Sequence, residues 1–88
     1  MKRSPTFLAV RALINAEDPI GLIAFDCPED EYDSEIEDLV KWRTDVTAEE
    51  VAEVFLRWFG EAGAMPEEMA GRIALGINQA RREQAPRR

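Results

Sequence analysis

Histidine is absent from the 88 residues, and cysteine occurs once, at Cys27. One chain of this composition cannot assemble a His/Cys zinc site, a disulfide framework or a histidine-dependent catalytic triad. Basic residues are also few, since 11 Lys and Arg stand against 18 Asp and Glu and leave a net charge of −7. Binding of DNA or RNA through phosphate contacts depends on Lys and Arg, so we expect no direct nucleic-acid binding.

Long apolar runs are missing as well. None approaches the roughly 18 residues of a membrane span, and Arg11 interrupts the N-terminal run Phe7–Val10 before it reaches signal-peptide length. We therefore expect no membrane partner and a cytoplasmic location, which suits the lone Cys27. The 45% hydrophobic content predicts one globular domain over residues 1–88, with its core at about 5–80 and a frayed tail at 81–88.

The first half of the chain predicts one helix and an irregular segment. A helix is expected from about Ser4 to Ala16, with Ser4 as its N-cap and Pro5 in its first position. Asp18-Pro19-Ile20-Gly21 has the residue preferences of a type I turn. The apolar run Leu22–Phe25 that follows is too short to assign from periodicity, and no second β-rich run exists to pair with it.

Three further helices are predicted beyond this loop. One begins near Glu31 or Asp33 and ends at about Trp42, and another opens on the capping box Thr47–Glu50. The apolar stripe of this third helix comprises Val51, Val54, Phe55, Trp58 and Phe59. A fourth helix is expected from about Met65. The predicted fold class is all-α: a compact bundle of about four helices with an irregular loop between the first two.

The densest feature of the sequence is an acidic segment at residues 26–38. It holds eight acids and no base: Asp26, Glu29, Asp30, Glu31, Asp33, Glu35, Glu37 and Asp38. An EF-hand needs Gly at its sixth position, which is Glu31 when counted from Asp26 and Glu35 when counted from Asp30. We therefore assign no calcium loop, no metal ligands and no cofactor.

Two motifs and a helix ending resemble a known family. The Asp18-Pro19-Ile20-Gly21 turn, the segment Pro28–Asp33 and the later Trp58-Phe59-Gly60 resemble the YugE-like domain of unknown function, a family of small bacterial helical proteins. The resemblance covers about residues 7–77, and the chain departs from the family's pattern at Glu17, where Trp is expected. The resemblance implies a compact helical fold and no established activity. Related small acidic proteins include immunity and antitoxin-type partners.

The acids are confined to one part of the chain. Residues 17–53 contain 14 acids and two bases, whereas the remaining residues have a net charge of +5. A dense negative surface steers a basic protein toward it, so a basic protein partner is expected. The candidate partner-binding residues are Asp30, Glu31, Tyr32, Asp33, Glu37 and Trp42. In the alternative interpretation the acids form a solvated face that keeps the chain soluble, and Trp42 closes the core.

Three hypotheses of function follow. The first is a non-enzymatic protein-binding domain of the immunity or antitoxin type, which masks a basic surface of its partner. The second is a structural or regulatory homodimer that pairs the apolar stripe of the third or fourth helix. The third is a small enzyme that depends on carboxylates or a divalent metal, although acid–base catalysis requires a perturbed carboxyl in a pocket and this chain has little room for one.

Overall fold

Four α-helices surround a single core in the computed structural model, which describes residues 4–28, 30–41 and 45–84, without the side chain of Gln84. The helices are α1 (Pro5–Glu17), α2 (Asp33–Val40), α3 (Ala48–Phe59) and α4 (Glu67–Gln84), and a 3₁₀ helix (Gly60–Gly63) joins α3 to α4. No strand occurs within those ranges. The predicted all-α class with four helices is therefore confirmed.

The helix N-termini begin where their local sequence predicts. The Ser4 hydroxyl accepts a hydrogen bond from the Phe7 N–H at 3.1 Å. At α3 the capping box is complete, because the Thr47 hydroxyl accepts from the Glu50 N–H at 3.1 Å and the Glu50 carboxylate accepts from the Thr47 N–H at 2.9 Å. A cap of this kind stabilises a helix by about 1 kcal/mol.

Apolar side chains from all four helices form the core. α1 packs against α4 and α2, and α3 packs against α4 and α2. The largest fully buried side chains are Tyr32, Phe55, Ile14, Ile36, Leu39, Ile73, Ile77, Val10 and Val51. Val51, Val54 and Phe55 of the predicted apolar stripe of α3 are buried. The prediction is wrong for Trp58, which is 49% exposed. The indole N–H of this exposed side chain donates to the Asp38 carboxylate of α2.

Two glycines allow close approach of neighbouring segments. A Cβ atom at Gly76 of α4 would lie 2.5 Å from the Leu13 side chain of α1, and a Cβ at Gly63 would overlap the backbone carbonyl of Phe55. Gly71 of α4 differs from these two, because no atom lies within 4 Å of a Cβ built there. Gly76 therefore brings α1 onto α4, while Gly63 brings the 3₁₀ helix onto α3.

The last turns of α4 hold the connection between α2 and α3. The Asn78 amide accepts from the Val46 N–H and donates to the Val46 carbonyl, both at 2.9 Å. One Arg81 nitrogen donates to the carbonyls of Leu39 and Val40 at the end of α2, at 3.2 and 2.9 Å. The expectation of fraying from Arg81 is thus wrong for the part of the tail that is described, because α4 continues to Gln84; residues 85–88 lie outside it.

Candidate functional site

The loop between α1 and α2 is built around the Asp18 carboxylate. It accepts hydrogen bonds from the N–H groups of Ile23 and Ala24, each at 3.0 Å, and from the Tyr32 hydroxyl at 2.7 Å. Asp18 ends α1 in the left-handed region, with φ 47° and ψ 59°. Short polar side chains such as Asp adopt this conformation more readily than most residues. One side chain therefore ends the helix and also organises the segment that follows.

Tyr32 lies at the centre of the same network and is fully buried. Its hydroxyl accepts from the Ile20 N–H at 3.0 Å and from the Leu22 N–H at 3.4 Å, while donating to Asp18. Burial, followed by the hydrogen bond to Asp18, raises the pKa of the Tyr32 hydroxyl. The prediction of Tyr32 as a partner-binding residue is wrong for the folded chain, because its side chain has no accessible surface.

The loop that this network holds presents an exposed aromatic side chain. Phe25 is 81% exposed, the largest exposed fraction among the big apolar side chains described. Backbone bonds fix its position, since the Phe25 N–H donates to the carbonyls of Gly21 and Leu22 at 3.2 Å. Asp26 follows with φ 64° and an exposed side chain. The run Leu22–Phe25 is thus a chain of turns that points its last residue outward.

Of the predicted partner-binding acids, Asp30 and Glu31 lie at the surface. Both are exposed, and neither has a Lys or Arg nitrogen within 4 Å in the described parts of the chain. Asp26 is also exposed, and it too has no Lys or Arg nitrogen within 4 Å in those parts of the chain. These three carboxylates and Phe25 lie between α1 and α2 in the sequence, and we call them the loop surface. The loop surface combines an apolar side chain with uncompensated negative charge.

Asp33 has a different environment from these acids. It forms a two-point ion pair with Arg11 of α1, with Nε–Oδ1 3.0 Å and Nη2–Oδ2 2.7 Å. Only 20% of the Arg11 side chain and 14% of the Asp33 side chain are exposed, so this ion pair is largely buried. Glu37 is exposed on α2, and Trp42 lies outside the described residues. Asp30 and Glu31 therefore lie at the surface, whereas the side chains of Tyr32 and Asp33 bond to other residues of the fold.

A second polar cluster links α2 to α3. The Trp58 indole N–H donates to the Asp38 carboxylate at 2.7 Å, and Lys41 contacts the same carboxylate at 3.4 Å. The hydrogen bond from Trp58 and then the contact with Lys41 lower the pKa of Asp38 against the opposing effect of burial. Arg57 pairs with Glu53 beside it, at 3.0 Å. The carboxylates of this cluster are paired with Lys or Arg side chains, so the cluster attracts a basic partner only weakly.

Glu17, where the resemblance led us to expect Trp, pairs with α4. Both of its oxygens accept from Arg72, at 2.9 and 3.0 Å. The hydrogen bond from Arg72 lowers the pKa of the Glu17 carboxyl. An ion pair thus occupies the place of the expected aromatic side chain and joins the end of α1 to α4.

One carboxyl is buried without full compensation. Glu35 of α2 is 3% exposed, and its Oε2 atom has no hydrogen-bond partner in the described structure. Burial raises the pKa of this carboxyl above its ordinary value of 4.5, and the nearby carboxylates of Asp38, Asp33 and Glu31 raise it further. A raised pKa means that the folded chain binds this proton more tightly than the unfolded chain. The contribution of Glu35 to the free energy of unfolding is therefore most favourable below pH 4.5. It becomes less favourable as the pH rises through the folded-state pKa of Glu35.

Glu35→Gln is expected to raise the free energy of unfolding at neutral pH by about 1–2 kcal/mol, because it removes a buried charge and keeps an acceptor oxygen for the residue's own N–H. Chemical denaturation at neutral and acidic pH measures the effect. The gain should vanish at a pH low enough to protonate Glu35 in both states. Glu61→Gln is the control and should change little, because Glu61 is exposed and is not one of the carboxylates that act on Glu35. Equal stability of Glu35→Gln and wild type at every pH would contradict the conclusion that burial raises the pKa of Glu35.

No group of three or more His, Cys, Asp or Glu side chains that could hold a metal ion occurs in the described ranges. Within the same ranges, no helix combines the length and the apolar character that crossing a membrane requires. Comparisons of the chain with protein-family models, with curated proteins and with solved structures gave no match. The resemblance to the YugE-like domain therefore stays a prediction, and the class defined by the structure is a small all-α bundle.

Sequence reasoning missed three features of this site. It identified Asp18 as a turn residue but not as the acceptor for Tyr32, although a buried Tyr needs a hydroxyl partner and a nearby Asp is a reasonable one. It grouped Glu35 with the solvated acids. A signal for its burial was available, because Glu35 precedes Ile36 and is four residues from Leu39 on a short helix. The exposure of Phe25 had no signal in the sequence.

Proposed function

We propose that the chain is a non-enzymatic protein-binding domain of the immunity or antitoxin type, which uses the loop surface to cover a basic surface of a partner protein. The observation that carries the proposal is Phe25, 81% exposed on a hydrogen-bonded loop, a few residues along the chain from the exposed acids Asp26, Asp30 and Glu31. A cytoplasmic location belongs to the same proposal, since Cys27 is a free cysteine.

Three physical arguments support this role for the loop surface. Aromatic side chains that enter a pocket on a partner contribute much of the binding energy of many interfaces. A loop that is already fixed loses little conformational entropy when it binds, so the contact energy is retained as affinity. The surrounding carboxylates raise the rate of association with a basic surface and favour basic over acidic partners.

The homodimer hypothesis finds less support in the arrangement of the apolar stripes. Val51, Val54 and Phe55 of α3 and Ile73 and Ile77 of α4 are buried within the monomer. A dimer would have to use other apolar residues, such as Leu56 or Leu75, which are 47% and 64% exposed. These two lie on separate helices, and neither belongs to the buried apolar stripes.

The test uses the immobilised chain as bait in cell extract, followed by affinity measurements with the purified partner. The triple variant Asp26→Lys, Asp30→Lys, Glu31→Lys is expected to weaken binding of a basic protein by more than about tenfold at low salt, with a smaller difference at high salt. Phe25→Ala is expected to weaken it at both salt concentrations, because its contribution is apolar. Asp33 is left unchanged because its loss would break the ion pair with Arg11.

A matched control triple places the same charge change elsewhere on the surface. Glu61, Glu68 and Glu83 are all exposed, and their replacement by Lys changes the net charge by the same amount. The control should reduce binding only slightly. If both triples weakened the partner equally, or if the partner were an acidic protein, the assignment of function to the loop surface would be wrong.

A further inference from the structure

A groove lies between the start of α3 and the segment that opens α4. Its volume is about 610 Å³, and its apolar lining consists of Ala48, Ala52, Met65 and Ala70. Three of these four side chains are single methyl groups, which is why the surface is concave there. Met65 is partly buried against the core and is the one flexible side chain of the lining.

The apolar surface continues beyond the groove along α3. Ala48, Ala52 and Leu56 are spaced four residues apart, which places them on one ridge of the helix. Leu56 is 47% exposed. From residue 48 to residue 56 the ridge is about 12 Å long, which matches about two turns of a second helix laid alongside it.

The charged side chains that line this groove are all acidic. They are Glu49 and Glu67, one on each helix, and both are exposed. Neither has a Lys or Arg nitrogen within 4 Å among the residues that the structure describes. The groove is thus an apolar channel with a negative charge on each side, and its complement is an apolar stripe with positive charges on both flanks.

The surroundings favour a helix over other ligands. No strand edge exists in the described ranges to which an extended peptide could add. The groove also lacks the converging polar groups that orient a small molecule, since Thr47 is already engaged as the N-cap of α3. A helix satisfies its own backbone hydrogen bonds and needs only an apolar face and flanking charges.

We propose that this groove binds an amphipathic, basic α-helix of the partner protein, with the apolar face of that helix on Ala48, Ala52 and Met65 and its Lys or Arg side chains toward Glu49 and Glu67. The inference rests on the proposed function for the basic character of the partner. It concerns a different surface, because the groove and the loop surface share no residue. The two can therefore succeed or fail separately.

The probes are two synthetic helical peptides with the same Leu and Ala face, one flanked by Lys and the other by Glu. Each is titrated into the ¹⁵N-labelled full chain at low and high salt, and amide chemical shifts are followed. The Lys-flanked peptide is expected to perturb Ala48, Ala52 and Met65 and to bind at least about tenfold more tightly than the Glu-flanked peptide at low salt.

Three variants locate the binding. The double variant Glu49→Lys, Glu67→Lys should lose most of the affinity for the Lys-flanked peptide, whereas Glu61→Lys, Glu68→Lys, with the same net charge, should retain it. Ala52→Arg fills the groove and should abolish binding, with circular dichroism confirming that it is folded. If Ala52→Arg does not fold, the two double variants, which change only exposed side chains, decide the matter.

Three results would overturn the inference: equal binding of the two peptides, perturbations confined to residues 25–31, or equal loss in the two double variants. These three results are obtained without Phe25→Ala and without the loop-surface triple, so those variants test the proposed function separately. If those variants still weaken the natural partner, the proposed function stands while the groove proposal falls. If those variants have no effect on binding of the natural partner and the groove still binds the Lys-flanked peptide, the proposed function of the loop surface falls while the groove proposal stands.

Discussion

Replacing Asp18 by alanine is expected to lower the free energy of unfolding at neutral pH by about 3 kcal/mol. The change removes the acceptor for the N–H groups of Ile23 and Ala24 and for the buried Tyr32 hydroxyl. Leaving such a buried donor without a partner costs about 1–3 kcal/mol. Alanine is also less tolerant than Asp of the left-handed conformation at this position. Urea denaturation followed by circular dichroism measures the loss.

The matched control for this variant is Asp26→Ala. Asp26 also has a positive φ, of 64°, but its side chain is exposed and outside the network. Its replacement should cost about 1 kcal/mol or less, which isolates the backbone contribution from that of the hydrogen bonds. A loss at Asp18 no larger than the loss at Asp26 would show that the network contributes nothing to stability.

The effect of Asp18→Ala should depend on pH. Burial raises the pKa of Asp18, but the hydrogen bonds from Ile23, Tyr32, Ala24 and Gly21 outweigh it, so the pKa is lowered from 3.8. A lowered pKa means that the stabilisation is fully present above pH 3.8 and is lost as the pH falls through the folded-state value. The difference in unfolding free energy between wild type and Asp18→Ala should therefore narrow in acid. The difference for Glu35→Gln also vanishes in acid, but it has the opposite sign, because that variant is more stable than wild type at neutral pH.

The same network links stability to the proposed function. Tyr32→Phe removes the hydroxyl that joins Asp18 to the N–H groups of Ile20 and Leu22, and the double variant with Asp18→Ala measures their coupling. A coupling energy of about 0.5–3 kcal/mol is usual for residues in one hydrogen-bond network. Either change should also weaken partner binding, because it loosens the loop that holds Phe25 in place.

Gly63→Ala is expected to have the second large effect, a loss of about 3 kcal/mol. The added Cβ would overlap the backbone carbonyl of Phe55, so the 3₁₀ helix would have to move away from α3. Backbone atoms cannot rotate out of the way as the end of a flexible side chain can, and overpacking of this kind costs 1–3 kcal/mol or occasionally more. Thermal and urea denaturation of the variant measure the loss.

Gly71→Ala is the control for the change of glycine to alanine. No atom lies within 4 Å of a Cβ built at Gly71, and the residue is in the interior of α4. Alanine is preferred over glycine in a helix, so this variant should be more stable than wild type by about 0.5–1 kcal/mol. Wild-type stability of Gly63→Ala would mean that the close approach of the two segments is not maintained in solution.

Much of the fold could be predicted because it depends on local physics. The N-caps at Ser4 and Thr47 involve residues three apart, and the apolar periodicity that defines α1 and α3 follows from helix geometry. The helix ends were less predictable. α2 ends at Val40 rather than at about Trp42, and α4 extends to Gln84 because Arg81 finds acceptors on a distant helix.

The candidate site was predicted only in part. Asp30 and Glu31 lie at the surface as expected, but Tyr32 and Asp33, their immediate neighbours, are used by Asp18 and Arg11. Composition alone assigns the three acids to one negative face and does not distinguish Asp33 from Asp30 and Glu31. The burial of each side chain depends on where its helix begins and what packs against it, which a charge run does not encode.

The sequence by itself determined the helical class, the capping residues, the loop after α1 and the concentration of acids in the middle of the chain. Tertiary structure decided which of the acids are compensated. The partners of Tyr32, Asp38 and Glu17 lie 14, 20 and 55 residues away along the chain. Such pairs exist only after the helices have packed, since hydrogen bonds and ion pairs act over a few ångströms.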